Sequence, residues 1–187
     1  PSPAPTPTNT PAPEVTLDAP HASQATAIDG DLSEWPAGQA WRLDRHTASM
    51  VHPRSAPEPA DSSALLRAAW SETTLYLAAV ISDSQHVADS VDIWRDDSME
   101  IGIDGAHDHT PDGLDDHQLT VSVDGRLTDF GNLAAPGGVV ATRQYATHYT
   151  VEIALPVNCL GQSRLVSAQT LGMTLGLHDD DDGGDWD

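Results

Sequence analysis

From Val15 onward, apolar residues recur at every second position in short runs broken by Gly, Pro and Asp. A period of two places alternate side chains on opposite faces of a strand, so each run reads as a half-buried strand. The clearest runs are Ala64 to Trp70, Leu75 to Ile81, Ser98 to Ile103, Gln118 to Val123, Val139 to Tyr145, Tyr149 to Leu155 and Leu171 to Leu177. Residues 75–81 are apolar on both faces, as a central strand of a layered fold should be. Four others split cleanly. Met99, Ile101 and Ile103 oppose Ser98, Glu100 and Gly102, and Leu119, Val121 and Val123 oppose Gln118, Thr120 and Ser122. Tyr149, Val151 and Ile153 oppose His148, Thr150 and Glu152, and Met173, Leu175 and Leu177 oppose Gly172, Thr174 and Gly176. Sustained helical period is missing; one short helical turn is expected within 157–168, after Pro156. Residues 44–63 carry no period and read as a long loop. The pattern predicts an all-β chain folded as a two-sheet antiparallel β-sandwich, with one side of each sheet on the core and the other wet. Small residues on a wet face leave room for a ligand.

The opening stretch behaves differently. Residues 1–13 read PSPAPTPTNTPAP. Proline fixes φ and donates no hydrogen bond, so this segment prefers extended polyproline II and builds no core. We read 1–14 as a Pro/Thr linker and 15–187 as the folded module, and hence expect other domains in the same polypeptide and an extracellular, secreted or cell-surface setting.

Charge narrows the partners. The 187 residues include 29 acidic side chains against 8 basic ones, a net charge of −21. Eight scattered arginines cannot neutralise a phosphate backbone, so nucleic acid is excluded, and an anionic membrane surface would repel the chain. No apolar run is long enough to span a bilayer, and membrane insertion is not expected. One cysteine allows neither an internal disulfide nor a thiolate zinc cluster. No GxSxG, HExxH, P-loop or GxGxxG pattern occurs, and none of the many carboxylates is singled out by a motif, so the chain reads as non-catalytic.

Three stretches stand out together: Ile28-Asp29-Gly30-Asp31-Leu32-Ser33-Glu34-Trp35-Pro36; Trp70 through Leu75-Tyr76-Leu77 to Ile93-Trp94-Arg95-Asp96-Asp97-Ser98-Met99-Glu100-Ile101; and Leu171 to Leu177 running into His178-Asp179-Asp180-Asp181-Asp182-Gly183-Gly184. In this order and spacing, over roughly residues 26–187, the chain resembles the family 9 carbohydrate-binding modules within the DOMON-like group of β-sandwiches, whose architecture is immunoglobulin-like or jelly-roll. The resemblance implies two antiparallel sheets, structural calcium, and a sugar gripped between two tryptophans near a chain end of a polysaccharide or oligosaccharide. It places Trp94 at the first stacking tryptophan and Glu100 at the hydrogen-bonding glutamate. The strand carrying Gln118, Thr120 and Ser122 matches the one that supplies further sugar contacts, with Thr120 and Ser122 where the family pattern has an arginine and an asparagine. The second stacking tryptophan of the family lies beyond the Asp-Gly run; Trp186 stands near that region without matching it by position.

The residues support this reading independently. A pyranose ring offers an apolar C–H face and hydroxyl edges, so an aromatic ring suits the face and carboxylates and amides suit the edges. Trp94, flanked by Asp92, Arg95, Asp96 and Asp97, is a better stacking candidate than Trp70, which sits among Leu65, Leu66, Ala68 and Ala69. Trp35 and Trp41 read as core.

Two acidic loops are candidate calcium sites. Asp104, Asp108, Asp112, Asp115 and Asp116 crowd one, with His107, His109 and His117 among them; Asp179 to Asp182 and Asp185 form the other. Calcium takes six to eight oxygens, and neighbouring aspartates repel one another without a cation. Neither loop has EF-hand spacing. The expected ligands are Asp104, Asp108, Asp112, Asp115, Asp116, Asp179 and Asp181. The histidines at 107, 109 and 117 add a transition-metal option, since imidazole and carboxylate together also bind zinc. Two alternatives stay open. Some DOMON-like sandwiches hold haem through Met and His, and Met99 and Met173 are present, although both fall on core faces. An open sheet edge could also accept a strand from a neighbouring chain and build a fibre or surface layer by self-assembly.

Overall fold

The computed structural model describes residues 16–23, 26–35, 39–48, 58–110, 115–130 and 137–183. The linker at 1–14, Asp112 and Trp186 lie outside the described residues. Within them run β1 (Trp41–Leu43), β2 (Ser63–Ser71), β3 (Thr74–Ser82), β4 (Ser98–Asp104), β5 (Asp116–Ser122), β6 (Leu127–Asp129), β7 (Val139–Gln144), β8 (His148–Pro156) and β9 (Gly172–His178). They form two antiparallel sheets, ordered β1-β2-β3-β8-β7 and β6-β5-β4-β9. This is the expected β-sandwich. The turn after Pro156 is a 3-10 helix at Val157–Leu160, closed by Gly161 in the left-handed conformation.

All seven expected strands are present. Two more, β1 and β6, are three-residue edges and too short to carry a period. The split faces meet in the core: Leu66, Leu77, Ile81, Tyr149, Val151 and Ile153 of the larger sheet oppose Met99, Ile101, Leu119 and Val121 of the smaller one. Met99 is fully buried there and Met173 packs against the same cluster, so both methionines serve packing. The central pair β3–β8 is matched over its whole length, from Thr74↔Pro156 to Ser82↔His148.

The expectation of wet outer faces needs correction. Thr150 and Glu152 are buried, Glu152 completely. The segment before β1 lies over the outer face of the larger sheet, where Trp35, Ala69, Tyr76 and Ala78 make a second apolar cluster with Ala22, Ile28 and Leu32 around it. Residues 75–81 are therefore apolar on both faces because both are covered, one by the other sheet and one by this segment. Trp35 is core as expected, but it seals the outside of the sheet rather than the space between sheets. Trp41 is partly buried against the main core.

A buried carboxylate fixes that segment. Glu152 accepts from the Trp35 indole N–H at 2.6 Å, from the Asp29 amide at 2.9 Å and from the Gly30 amide at 2.6 Å. The Thr150 hydroxyl donates to the Gly30 carbonyl at 2.7 Å. Gly30 has φ of +82°, and a Cβ there would meet Arg143 Cβ at 2.9 Å, so the turn accepts only glycine. Burial outweighs the three donors and holds the Glu152 carboxyl above its ordinary pKa.

Candidate functional site

Strand β4 is central in the smaller sheet, with β5 on one side and β9 on the other. Its outward residues Ser98, Glu100 and Gly102 face Ser122, Thr120 and Gln118 of β5 and His178, Gly176 and Thr174 of β9. Glu100 is half-buried in the middle of this face and stands 3.6 Å from the His178 ring nitrogen. Burial lowers the His178 pKa despite the neighbouring carboxylate. Glycine keeps the surface around Glu100 low: a Cβ on Gly102 would lie 2.3 Å from Thr174 Oγ1, and one on Gly176 would lie 3.5 Å from Glu100 Cβ. Trp94 sits in the 3-10 turn Ile93–Arg95 that leads into β4 and packs against β4 and β5. Its ring is half-buried, with the Arg95 guanidinium 4.9 Å from its centroid.

The structure thus brings Glu100, Gln118, Thr120 and Ser122 onto one sheet face and sets Trp94 beside their strands. It differs from expectation in exposure. Gln118 is open to solvent, but Thr120 and Ser122 are fully buried and offer no surface as placed. Ser122 donates to Asp124, which is itself paired with Arg126. The hydroxyls of Thr120 and Ser98, also fully buried, have no hydrogen-bond partner among the described residues. An unpaired buried hydroxyl costs about 1–3 kcal/mol.

Acidic groups gather at both ends of β4. At its start, Asp83 (after β3), Asp97 (before β4) and Asp179 (after β9) form one group, Asp89, Asp96 and Asp180 a second, and Asp61, Asp179 and Asp181 a third. These strand ends converge because β9 runs antiparallel to β4, pairing His178 with Ser98. Asp83, Asp96, Asp97 and Asp180 are buried. Backbone amides satisfy part of the set: Asp97 accepts from Val87 and Asp180, and Asp180 accepts from Asp182 and Gly183. Asp96 is paired with Arg126 at 2.6 Å. One oxygen each of Asp83 and Asp180 is buried without a hydrogen-bond partner among the described residues. Sequence reasoning named Asp179 and Asp181 here, and counted Asp180 in the same acidic run, but missed Asp83, Asp89, Asp96 and Asp97 as members of one site. The Asp96-Asp97 pair after Trp94 was a visible signal; its meeting with Asp83 was not.

This crowding raises the Asp83 and Asp97 carboxyls to about 7, through burial first and then through neighbouring carboxylates. The ordinary value is 3.8. The folded, metal-free protein therefore holds more protons than the unfolded chain between those values, and its stability falls as pH rises from about 4 to about 7. We expect melting temperature in excess chelator to be higher at pH 5.5 than at pH 8. A cation held by these carboxylates would reverse the order, because protons then compete with it. Thermal melts at both pH values with and without calcium check this.

At the far end of β4, Asp104 stands close to Asp115 and Asp116 in one group and to His107 and His109 in another. Burial would raise the Asp104 pKa, but the His109 and Asp108 amides, donating at 3.0 and 3.2 Å, outweigh it and hold the pKa low. Asp108 accepts from the Thr110 amide and belongs to neither group. His117, expected near these histidines, is elsewhere: its ring nitrogens face Asp129 at 2.8 Å and the Cys159 carbonyl.

The chain is thus a two-sheet sandwich with a low, glycine-lined polar sheet face, an aromatic turn beside it and acidic strand ends. The profile of the carbohydrate family 9 binding domain-like family matches residues 28–187, and the chain belongs to this family, whose members are non-catalytic carbohydrate-binding modules. The fold is similar to a family 9 carbohydrate-binding module from Caldicellulosiruptor kristjanssonii solved in complex with cellotriose, with TM-score 0.72 and 16% identity over 90% of this chain and 78% of that one. A module of the same family and organism, solved with glucose, aligns with TM-score 0.64 and 17% identity over 87% of this chain and 78% of that one. Among curated proteins, the exoglucanase XynX of Acetivibrio thermocellus is 28% identical over 124 residues, 66% of this chain. The chain spans only 11% of that relative's length.

Proposed function

We propose that this chain is a calcium-stabilised module that binds a polysaccharide or oligosaccharide on the outward face of β4, β5 and β9, and that it serves as one domain of a larger secreted or cell-surface, glycan-active protein. The observation that carries the binding reading is Glu100, half-buried between Gly102 and Gly176, with two unpartnered hydroxyls flanking it. A half-buried carboxylate on this face accepts from sugar hydroxyls, and the Trp94 ring supplies a stacking surface for the apolar ring face. Gln118 adds an amide at the open edge. The complexes of structurally similar modules with cellotriose and glucose favour a glucan ligand. The proline-rich opening and the small share of XynX that the chain spans support the multidomain setting.

Calcium fits the first acidic end. Its donors are all carboxylate oxygens, the chemistry calcium prefers, and the partnerless oxygens of Asp83 and Asp180 are ready ligands. Asp83, Asp97 and Asp179 would hold one ion, and Asp89, Asp96 and Asp180 would surround another. A bound cation would neutralise the repulsion between strand ends, keeping the turn with Trp94 in place against β4.

Binding to cellulose, xylan, mixed-linkage glucan and cello-oligosaccharides, followed by calorimetry in calcium, tests the reading. Trp94→Ala should weaken binding by about 30-fold or more, as loss of a stacking anchor costs about 2 kcal/mol. Glu100→Gln, which keeps size and removes charge, should weaken it by about tenfold. Undiminished binding by both variants would move the site off this face.

A further inference from the structure

We propose that Asp104, His107 and His109, at the end of β4 opposite the group of Asp83, Asp97 and Asp179, form a site for a divalent transition metal ion, with zinc as its test ion. One ligand atom from each residue lies within 4.8 Å of the others. In a tetrahedral zinc site, with bonds of about 2.0–2.2 Å, ligand atoms stand about 3.3 Å apart, so small side-chain rotations close the set. His107 Nδ1 is buried and has no hydrogen-bond partner among the described residues. It and Asp104 Cγ both border Gly172, at 3.3 and 3.4 Å from where a Cβ would lie, so glycine leaves room for the imidazole beside the carboxylate.

The two amides that bond Asp104 belong to Asp108 and His109, which ties the carboxylate's orientation to the loop that presents the imidazoles. Such hydrogen bonds fix a ligating carboxylate before the metal arrives. His107 and His109 both adopt the left-handed region, with φ of 54° and 60°, a conformation that costs a non-glycine residue energy, and their ring centroids lie 4.9 Å apart. Two nitrogens and one carboxylate suit zinc, nickel or copper better than calcium, which takes oxygens. Three protein ligands leave one position of a tetrahedral ion open to water.

The test is zinc titration of the whole chain against a chromogenic chelator, with calcium in large excess to fill the all-oxygen sites. One zinc equivalent is expected. His107→Asn with His109→Asn should weaken it by more than about 100-fold, since loss of a mere supporting bond already costs 10–100-fold. Asparagine accepts the left-handed conformation, so the loop should persist, and an unchanged thermal melt in calcium checks folding. His109→Asn alone, at an exposed position, should give a smaller loss, and the visible spectrum of the cobalt-loaded protein should change with it. Zinc binding that survives the double substitution would overturn the proposal and assign the bound zinc to carboxylates.

Discussion

Excess chelator should lower the melting temperature by roughly 5–16 °C for each calcium site emptied. Ligand at 100 to 1,000 times its dissociation constant stabilises a fold by about 2.7–4.1 kcal/mol, and 1 kcal/mol moves the melting point of a domain this size by about 2–4 °C. The loss should be large because removal of the cation leaves more than a missing bond. Asp83, Asp97 and Asp180 remain buried, two of them with an oxygen that has no hydrogen-bond partner among the described residues. Like charges then face one another where β3, β4 and β9 converge. Differential scanning calorimetry in calcium, in chelator and after calcium is restored measures the effect. Asp97→Asn should abolish most of the calcium response, because Asp97 lies in a candidate group and also ties Val87 and Asp180 together. A melt unchanged by chelator would remove calcium from the account. Recovery with magnesium alone would point to surface charge rather than a built site.

Glu152→Ala should destabilise the fold by about 3–5 kcal/mol, a fall of roughly 6–20 °C in melting temperature. The alanine leaves three donors without acceptors, the Trp35 indole and the Asp29 and Gly30 amides. Each such orphan costs about 1–3 kcal/mol where water cannot reach it. Glu152→Gln should cost less, because one oxygen survives, yet more than a surface change, because its NH2 group meets another donor. Trp35→Phe keeps the ring in the outer apolar cluster and removes one donor. Its effect should add poorly to that of Glu152→Ala, since both disrupt the same contact. Urea unfolding of the three variants and the double variant measures this. Additive effects would mean that the Trp35 segment is held by its apolar contacts with Tyr76 and Ala78 rather than by the carboxylate.

Much of the sandwich was legible in the chain because alternation is a local signal. Met99-Ile101-Ile103 and Leu119-Val121 had only one way to hide their apolar faces, and both end in the core. The short edges β1 and β6 were not legible, since three residues carry no period. Glu152 was misread for a related reason. Its alternation with Ile153 marked it as outward, and it is outward, but the residues that cover it come from more than 100 positions earlier. The same limit applied to Thr120 and Ser122, whose face was read correctly and whose burial was not.

The site divides along the same line. The sequence by itself determined the strand period, the acidic character of the loops, the stretch around Trp94 and Glu100, and the family these features resemble. Only the tertiary structure decided which aspartates share a site, because carboxylates from three separate strand ends meet through antiparallel pairing that no local pattern encodes. It likewise set His117 against Asp129 and left His107 and His109 beside Asp104, although all three histidines fall within 11 residues. Periodicity records which way a side chain faces; what waits on that side is fixed by contacts between residues far apart in the chain.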